Sequence, residues 1–421
     1  MNCKNKVSKS ETILSSISGA GPLVNFAILI SYSYYYASDL IFISFILAFI
    51  LFITFFNAVY EMSRTKVGKG GYYLFVQDYY KNDSIFIYIY FIYSFSSIIS
   101  LLTFISFILF PDVIKIQSIY YYIIFILILL FIYFIIKYSI RGSIRYASVG
   151  ALLEISFILI ISIVLLLSSH FAIPSLKISS ISNIFIGGIF SVLIFAGLGS
   201  PISFGDMLEN PYKNLKNSIL ISAIIEGSVF IFSSFVLGIF LYDSGMIMNL
   251  NAVIPILQII KNSGFLIYLI FMVLLINSFL SILLLYSISF TRTYHTYLKE
   301  KMNFSDLLNY FILFIMIISI LSIIYFGIFD TFLLATSIAS INWLLFHDVL
   351  NLSLIKNYFN EKKYVIKRML IPSISIIISF FIIFFILYSE TFPFYLSPIF
   401  TLIIILMIQI KYKFRKIKND I

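Results

Sequence analysis

Two glutamates stand in long stretches that otherwise carry no charge: Glu154, within Tyr146 to Leu167, and Glu226, within Ser218 to Leu241. A lone carboxyl in an apolar run has a narrow chemistry. It can take up and release a proton, or it can lend a negative oxygen to a cation. Two further places could bind a ligand through the backbone. Ser18-Gly19-Ala20-Gly21-Pro22 and Ala196-Gly197-Leu198-Gly199-Ser200-Pro201 each set two glycines and a proline inside an apolar run. Proline removes a backbone donor and glycine tolerates unwound dihedrals, so both helices are expected to break there and free N–H and C=O groups for binding. The remaining candidates do not assemble into a site. His170, His295 and His347 lack metal-ligand spacing, Cys3 has no second cysteine to pair with, and Gly70-Gly71 is not followed by the Gly-Lys-Ser/Thr of a phosphate loop. With no paired nucleophile and base, an enzyme and a cofactor are not expected.

The elements that position these residues follow from composition. Of 421 residues, 61% are hydrophobic and 11% charged, against about 25% charged in soluble domains. Runs long enough to cross a bilayer fall at Ile13 to Tyr36, Leu40 to Tyr60, Ile85 to Phe110, Ser118 to Ile136, Tyr146 to Leu167 and Ile184 to Phe204. Six more follow at Ser218 to Leu241, Phe265 to Phe290, Leu307 to Phe326, Thr331 to Leu350, Leu370 to Leu387 and Phe394 to Ile410. With the N-terminus inside, all of the 28 Lys and Arg residues except Lys115, Lys177 and Lys261 lie on cytoplasmic segments, as the positive-inside rule requires. The net charge of +10 therefore reflects orientation toward the cytoplasm, and nucleic acid is not an expected partner. The 47 Phe and 31 Tyr read as lipid-facing bulk and interfacial belts. Asp348, beside His347, is expected at the interface near the inner end of the tenth span.

The two breaks recur at the first span of each set of five, which is the pattern of an inverted repeat. The expected organisation is a tail over residues 1–12, a first five-helix repeat over 13–168, an inverted repeat over 183–352, two accessory spans over 369–410 and a basic tail over 411–421. The fold class is thus all-α integral membrane, with twelve spans and discontinuous spans 1 and 6.

Tyr60-Glu61-Met62-Ser63-Arg64 followed by Gly70-Gly71-Tyr72-Tyr73-Leu74-Phe75-Val76 resembles the end of span 2 and the approach to span 3 in the amino acid-polyamine-organocation (APC) transporter superfamily. Phe195-Ala196-Gly197-Leu198 is similar to its Phe-x-Gly-Phe stretch, and Asp206 with Glu209-Asn210-Pro211 and the basic Lys213 and Lys216 is similar to the segment that follows it. Gly142, Arg145 and Glu154 resemble the entry to span 5, and Thr291-Arg292 the close of span 8. The resemblance runs from about Glu11 to Lys301. Val67 stands near where the family has a proline before Gly-Gly, and Gly199 where many members carry an acid.

The resemblance implies a leucine-transporter-like 5+5 fold that moves amino acids across the plasma membrane by alternating access, with both termini cytoplasmic. Substrate would lie at Ser18, Gly19, Ala20, Gly21, Phe195, Ala196, Gly197, Leu198 and Gly199. A half-helix N-terminus can hold a carboxylate without an arginine, and unwound carbonyls can accept from an ammonium. Neither break carries a charged side chain, which favours a neutral or apolar amino acid over a polyamine. Coupling is assigned to Glu154, with Ser278 and Ser281 as neighbours, and to protons ahead of sodium. A transport-inactive sensor of the same fold is the alternative, and the oligomeric state stays open.

Overall fold

Lipid offers backbone no partner but itself, and in the computed structural model the chain is predominantly helical over the residues described, which are 6–78, 84–113, 117–169, 181–244, 256–360, 365–389, 399 and 401–403. Among these residues there is no strand, and one isolated parallel bridge joins Val7 and Leu208. The first third of the chain forms α1 (Lys9–Ala20), α2 (Pro22–Ala37), α3 (Ile41–Met62), the short α4 (Tyr73–Val76), α5 (Ser84–Phe104), the short α6 (Phe110–Val113) and α7 (Ser118–Tyr138). Then come α8 (Ile140–Ser168), α9 (Ile181–Val192), α10 (Pro211–Ser244) and the short α11 (Leu257–Asn262). The remainder forms α12 (Phe265–Tyr297), α13 (Phe304–Phe326), α14 (Ile328–Asn360) and α15 (Val365–Ser389). Ten stretches among the described residues are long and apolar enough to cross a membrane, α1 and α2 together making one of them. Leu127, Phe134, Ile160, Leu167, Ile324 and Phe380 are large apolar side chains left exposed, a surface that water would not tolerate and acyl chains would. The chain is an all-helical, multi-pass membrane protein.

The twelfth expected span and the basic tail fall almost wholly outside the described residues, as do Lys115 and Lys177. Lys261 is exposed on α11 and still tests the orientation. In a Cys3→Ser background, Lys261→Cys is expected to react with an impermeant thiol reagent from outside and Lys213→Cys only from inside. The reverse pattern would overturn the assignment.

The chain divides into two compact units that cut across the expected repeats. One holds Met1–Ile53 and Phe134–Tyr286, the other Thr54–Tyr133 and Ser287–Ile421. In the first, α1 packs against both α8 and α10, and α2 packs against α9. A capping box at Ser8 and Glu11 starts α1, and Arg145 Nε lies 3.2 Å from Glu11 Oε1. The segment before α1 is stitched to the chain after span 6, with Val7 N–H donating to the Met207 carbonyl (2.8 Å) and Glu209 N–H to the Val7 carbonyl (3.0 Å). Asn210 turns the chain into α10 with a left-handed φ of 45°, and Asn214 Nδ2 donates to the Glu209 carbonyl.

In the second unit α14 lies along α5 and α15. The Gly70-Gly71 segment makes a turn, with Gly71 at φ 56°, that delivers Tyr72 onto Phe346 (centroids 5.3 Å apart). Helix α14 continues to Asn360, and on it His347 is fully buried against Trp343 and Phe346 (4.4 and 4.1 Å) with Nδ1 2.9 Å from the Trp343 carbonyl. Asp348 is partly buried and accepts from Ser379 (2.7 Å).

Candidate functional site

Both breaks form, by different means. In span 1 the helix stops at Ala20, passes through Gly21 at φ 73°, ψ 71°, and resumes at Pro22. Left-handed backbone is nearly free to glycine and costs other L-residues about 1–2 kcal/mol. The interruption is one residue deep, since Gly21 N–H still reaches the Ile17 carbonyl (3.2 Å) and Asn25 N–H the Gly21 carbonyl (3.0 Å). Span 6 is disrupted over a longer stretch. After α9 it tightens to a 3-10 turn at Leu193–Phe195, then turns through Ala196 to Gly199, and continues in 3-10 turns from Ser200 to Met207 that are kinked at Phe204 (φ −120°, ψ 29°).

The breaks meet each other. A Cβ on Gly197 would overlap the Gly19 carbonyl, and one on Gly19 would overlap Ser200 Oγ and the Gly197 carbonyl. These two glycines therefore serve a close backbone crossing, whereas Gly21 serves a dihedral. Three side chains bind the crossing together. Ser16 Oγ donates to the Leu198 carbonyl (2.5 Å), Ser200 Oγ to the Ser15 carbonyl (3.2 Å), and Asn25 Nδ2 to the carbonyls of Ala20 and Ile194 (2.9 Å each). Ser18, Gly19, Ala20 and Gly21 are all buried, and Ser18 Oγ has no hydrogen-bond partner among the described residues. Phe195 is fully buried and stacks on Phe52 (4.8 Å). Ala196 is half-buried, Leu198 and Gly199 are buried, and the Gly199 carbonyl accepts from Ile202 N–H (3.0 Å).

Glu154 projects from the buried face of α8 with no exposed surface. Its Oε2 accepts from Ser278 Oγ (2.7 Å) and from the N–H of Leu23 (3.3 Å), and its Oε1 from Asn277 Nδ2 (3.2 Å). Leu23 is the second residue of α2, behind Pro22, which has no N–H to offer. The carboxyl thus caps the half-helix that begins at the break, where aligned peptide dipoles leave about half a positive charge. Gly150, one turn earlier on α8, allows this approach, because a Cβ there would overlap the Asn277 amide.

Of the expected coupling residues, Glu154 and Ser278 are brought together. Ser281 Oγ, near Gly150, has no partner among the described residues. Asn25 and Asn277 also hold the site, although neither carries the charge or the glycine dihedral that marks the other site residues in the sequence. A signal existed in the rarity of asparagine amides within apolar spans. The donors around Glu154 are two N–H groups and a hydroxyl, a set that matches the lone pairs of an ionised carboxylate. Among the described residues no three His, Cys, Asp or Glu side chains gather closely enough to hold a metal ion. In comparison with known proteins, the sequence matches no family model and no curated protein.

Proposed function

We propose that the chain is a secondary transporter that carries neutral or apolar amino acids by alternating access, coupled to protons through Glu154. Its many apolar helices fit a membrane transporter in general. The observation that carries the narrower reading is the contact of Glu154 with Leu23 N–H at the start of α2. A carboxyl at mid-span is expensive in lipid, by roughly 2.5–3.5 kcal/mol for a charged acid at a helix centre, and helix packing alone does not call for one. Here it occupies the end of a broken helix, the kind of place where an anionic group of a substrate would be held. Protonating Glu154 removes the charge that grips Leu23, frees the half-helix dipole for a substrate carboxylate, and loosens α2 from α8. Deprotonation restores the cap. Binding and proton uptake are thereby coupled at one set of donors, which is what a symporter needs.

The test is uptake of labelled neutral amino acids by the purified chain in proteoliposomes. Accumulation is expected with an imposed inward proton gradient and no sodium, and it should collapse when an ionophore dissipates that gradient. Uptake that needs sodium and ignores the ionophore at clamped potential would reject proton coupling. Failure to move any amino acid under either gradient would reject the substrate class.

A further inference from the structure

Glu226 takes part in none of these contacts. It is 1% exposed on α10, and among the described residues neither of its carboxyl oxygens has a hydrogen-bond partner.

Its depth follows from register. Ser218 and Ser222 on α10 donate to the carbonyls of Lys9 (3.5 Å) and Ile13 (2.9 Å) on α1, the same advance of one turn on each helix. The two helices are therefore parallel, and one further turn sets Glu226 at the level of Ile17 and the unpartnered Ser18, just before the Gly21 break. On α8, Ser148 Oγ donates to the Glu11 carbonyl and Glu154 accepts from Leu23, so α8 runs the same way. Ser162 Oγ donates to Ser233 Oγ (3.0 Å) between α8 and α10. Counting equally back along both helices from that bond brings Glu154 level with Ile225 and Glu226. The two carboxyls thus share one layer on two helices that pack against each other.

Their surroundings differ. Glu154 has three donors turned toward it. Beside Glu226, Gly227 lets the ring of Phe49 close against α10, and Phe230, a turn further on, stacks on Phe45. The other charged or titratable groups of the helices packed on α10 stand off from this layer. Lys9 and Glu11 lie two turns below on α1, Glu11 already paired with Arg145. Arg141, Arg145 and Tyr146 lie two turns or more below Glu154 on α8, Asp206 follows the span 6 break, and Tyr34, Tyr35 and Tyr36 lie at the far end of α2. Asp39 follows in the turn after α2, which also packs on α10, and Tyr60 and Glu61 stand at the end of α3, about three turns beyond Phe49. Glu154 is the titratable group that register places in the layer of Glu226.

We propose that Glu226 is a second proton-binding site, an acid that keeps its proton at neutral pH beside an ionised Glu154, so that the pair holds one proton and one negative charge. A buried carboxylate with no donor is far costlier than the neutral acid, while donors stabilise the ionised form. Two carboxyls in one layer with such unequal partners divide into an acid and a base. A proton leaving the Glu226 acid oxygen for a Glu154 carboxylate oxygen exchanges the two states and changes no other atom. The assignment deepens the proposed function by giving its coupling site a proton store, and it rests on that reading only for the link to transport.

Infrared difference spectroscopy on the full chain in liposomes tests it without any substrate. The wild type is expected to show a carboxylic-acid carbonyl band at pH 7 that shifts in deuterium oxide. Glu226→Gln should lose it, Glu226→Asp should keep it at a displaced position, and Glu154→Gln should retain it. Titrated upward from low pH, where both acids hold a proton, carboxylic-acid absorbance should be lost in two steps in the wild type and in one step in Glu154→Gln, because coupled sites titrate as a pair. Absence of the band from the wild type, or a band unchanged in both Glu226 variants, would overturn the proposal. The expected spectra combined with no amino acid transport would leave the proton site standing and reject the transport reading instead.

Discussion

Glu154→Gln is expected to abolish accumulation of substrate against a gradient, by tenfold or more, while exchange of internal for external substrate persists. Glutamine keeps the shape of the protonated acid and one carbonyl oxygen, so Leu23 N–H can still be satisfied. The Ser278 hydroxyl can turn to accept from the new amide, and Asn277 is left with the weaker arrangement. Hydrogen bonds to charged groups contribute about 1.5–3 kcal/mol each, but removing a buried charge also removes its desolvation cost. The variant should therefore fold. Under the proposed coupling it should no longer alternate between a gripping and a released α2, so net proton-driven flux should stop and the pH dependence of exchange should flatten. Counterflow and gradient-driven uptake measured on the same proteoliposomes separate these effects. Wild-type accumulation by the variant would remove Glu154 from the coupling step.

Gly197→Leu should be the most damaging substitution at the crossing of the breaks. The first side-chain carbon already overlaps the Gly19 carbonyl and crowds the Ala20 nitrogen, and both obstacles are backbone that cannot rotate away. Overpacking a filled interior costs about 1–3 kcal/mol and occasionally more. Here the added groups must also push apart the segments held by Ser16, Ser200 and Asn25, so the cost should lie at the upper end or beyond. Against a typical total stability of about 5–15 kcal/mol, a sharp fall in melting temperature and loss of transport are expected, with membrane insertion intact because leucine only raises the hydropathy. Gly327→Ala is the control. It adds a Cβ at φ 86°, ψ 170° with no heavy atom within 4 Å, so its cost is confined to the dihedral, about 1–3 kcal/mol. Equal melting temperatures for the two variants in detergent would sink the crossing argument.

The contrast between these two glycines marks the division between sequence and tertiary structure. The spans were legible in the order of residues because a bilayer imposes its requirement on each one separately: a run such as Ile41–Met62 must be apolar and must bond its own backbone, whatever surrounds it. The break at Gly21 was legible for a similar reason, since a left-handed φ and a following proline are properties of neighbouring residues. The isolation of Glu154 and Glu226 in apolar runs was equally plain. Which atoms those carboxyls meet was not. Leu23 and Asn277 lie 131 and 123 residues from Glu154, and no local rule says that α8 faces the first turn of α2. The same holds for Gly197, whose crossing with Gly19 exists only once spans 1 and 6 have packed, and for His347, which packs against Phe56 and Tyr72 from distant parts of the chain. Glu154 and Glu226 are chemically identical in the sequence. Packing alone surrounds one with donors and the other with phenylalanine, and in a medium of low dielectric that difference in partners decides which of them is the base and which is the acid.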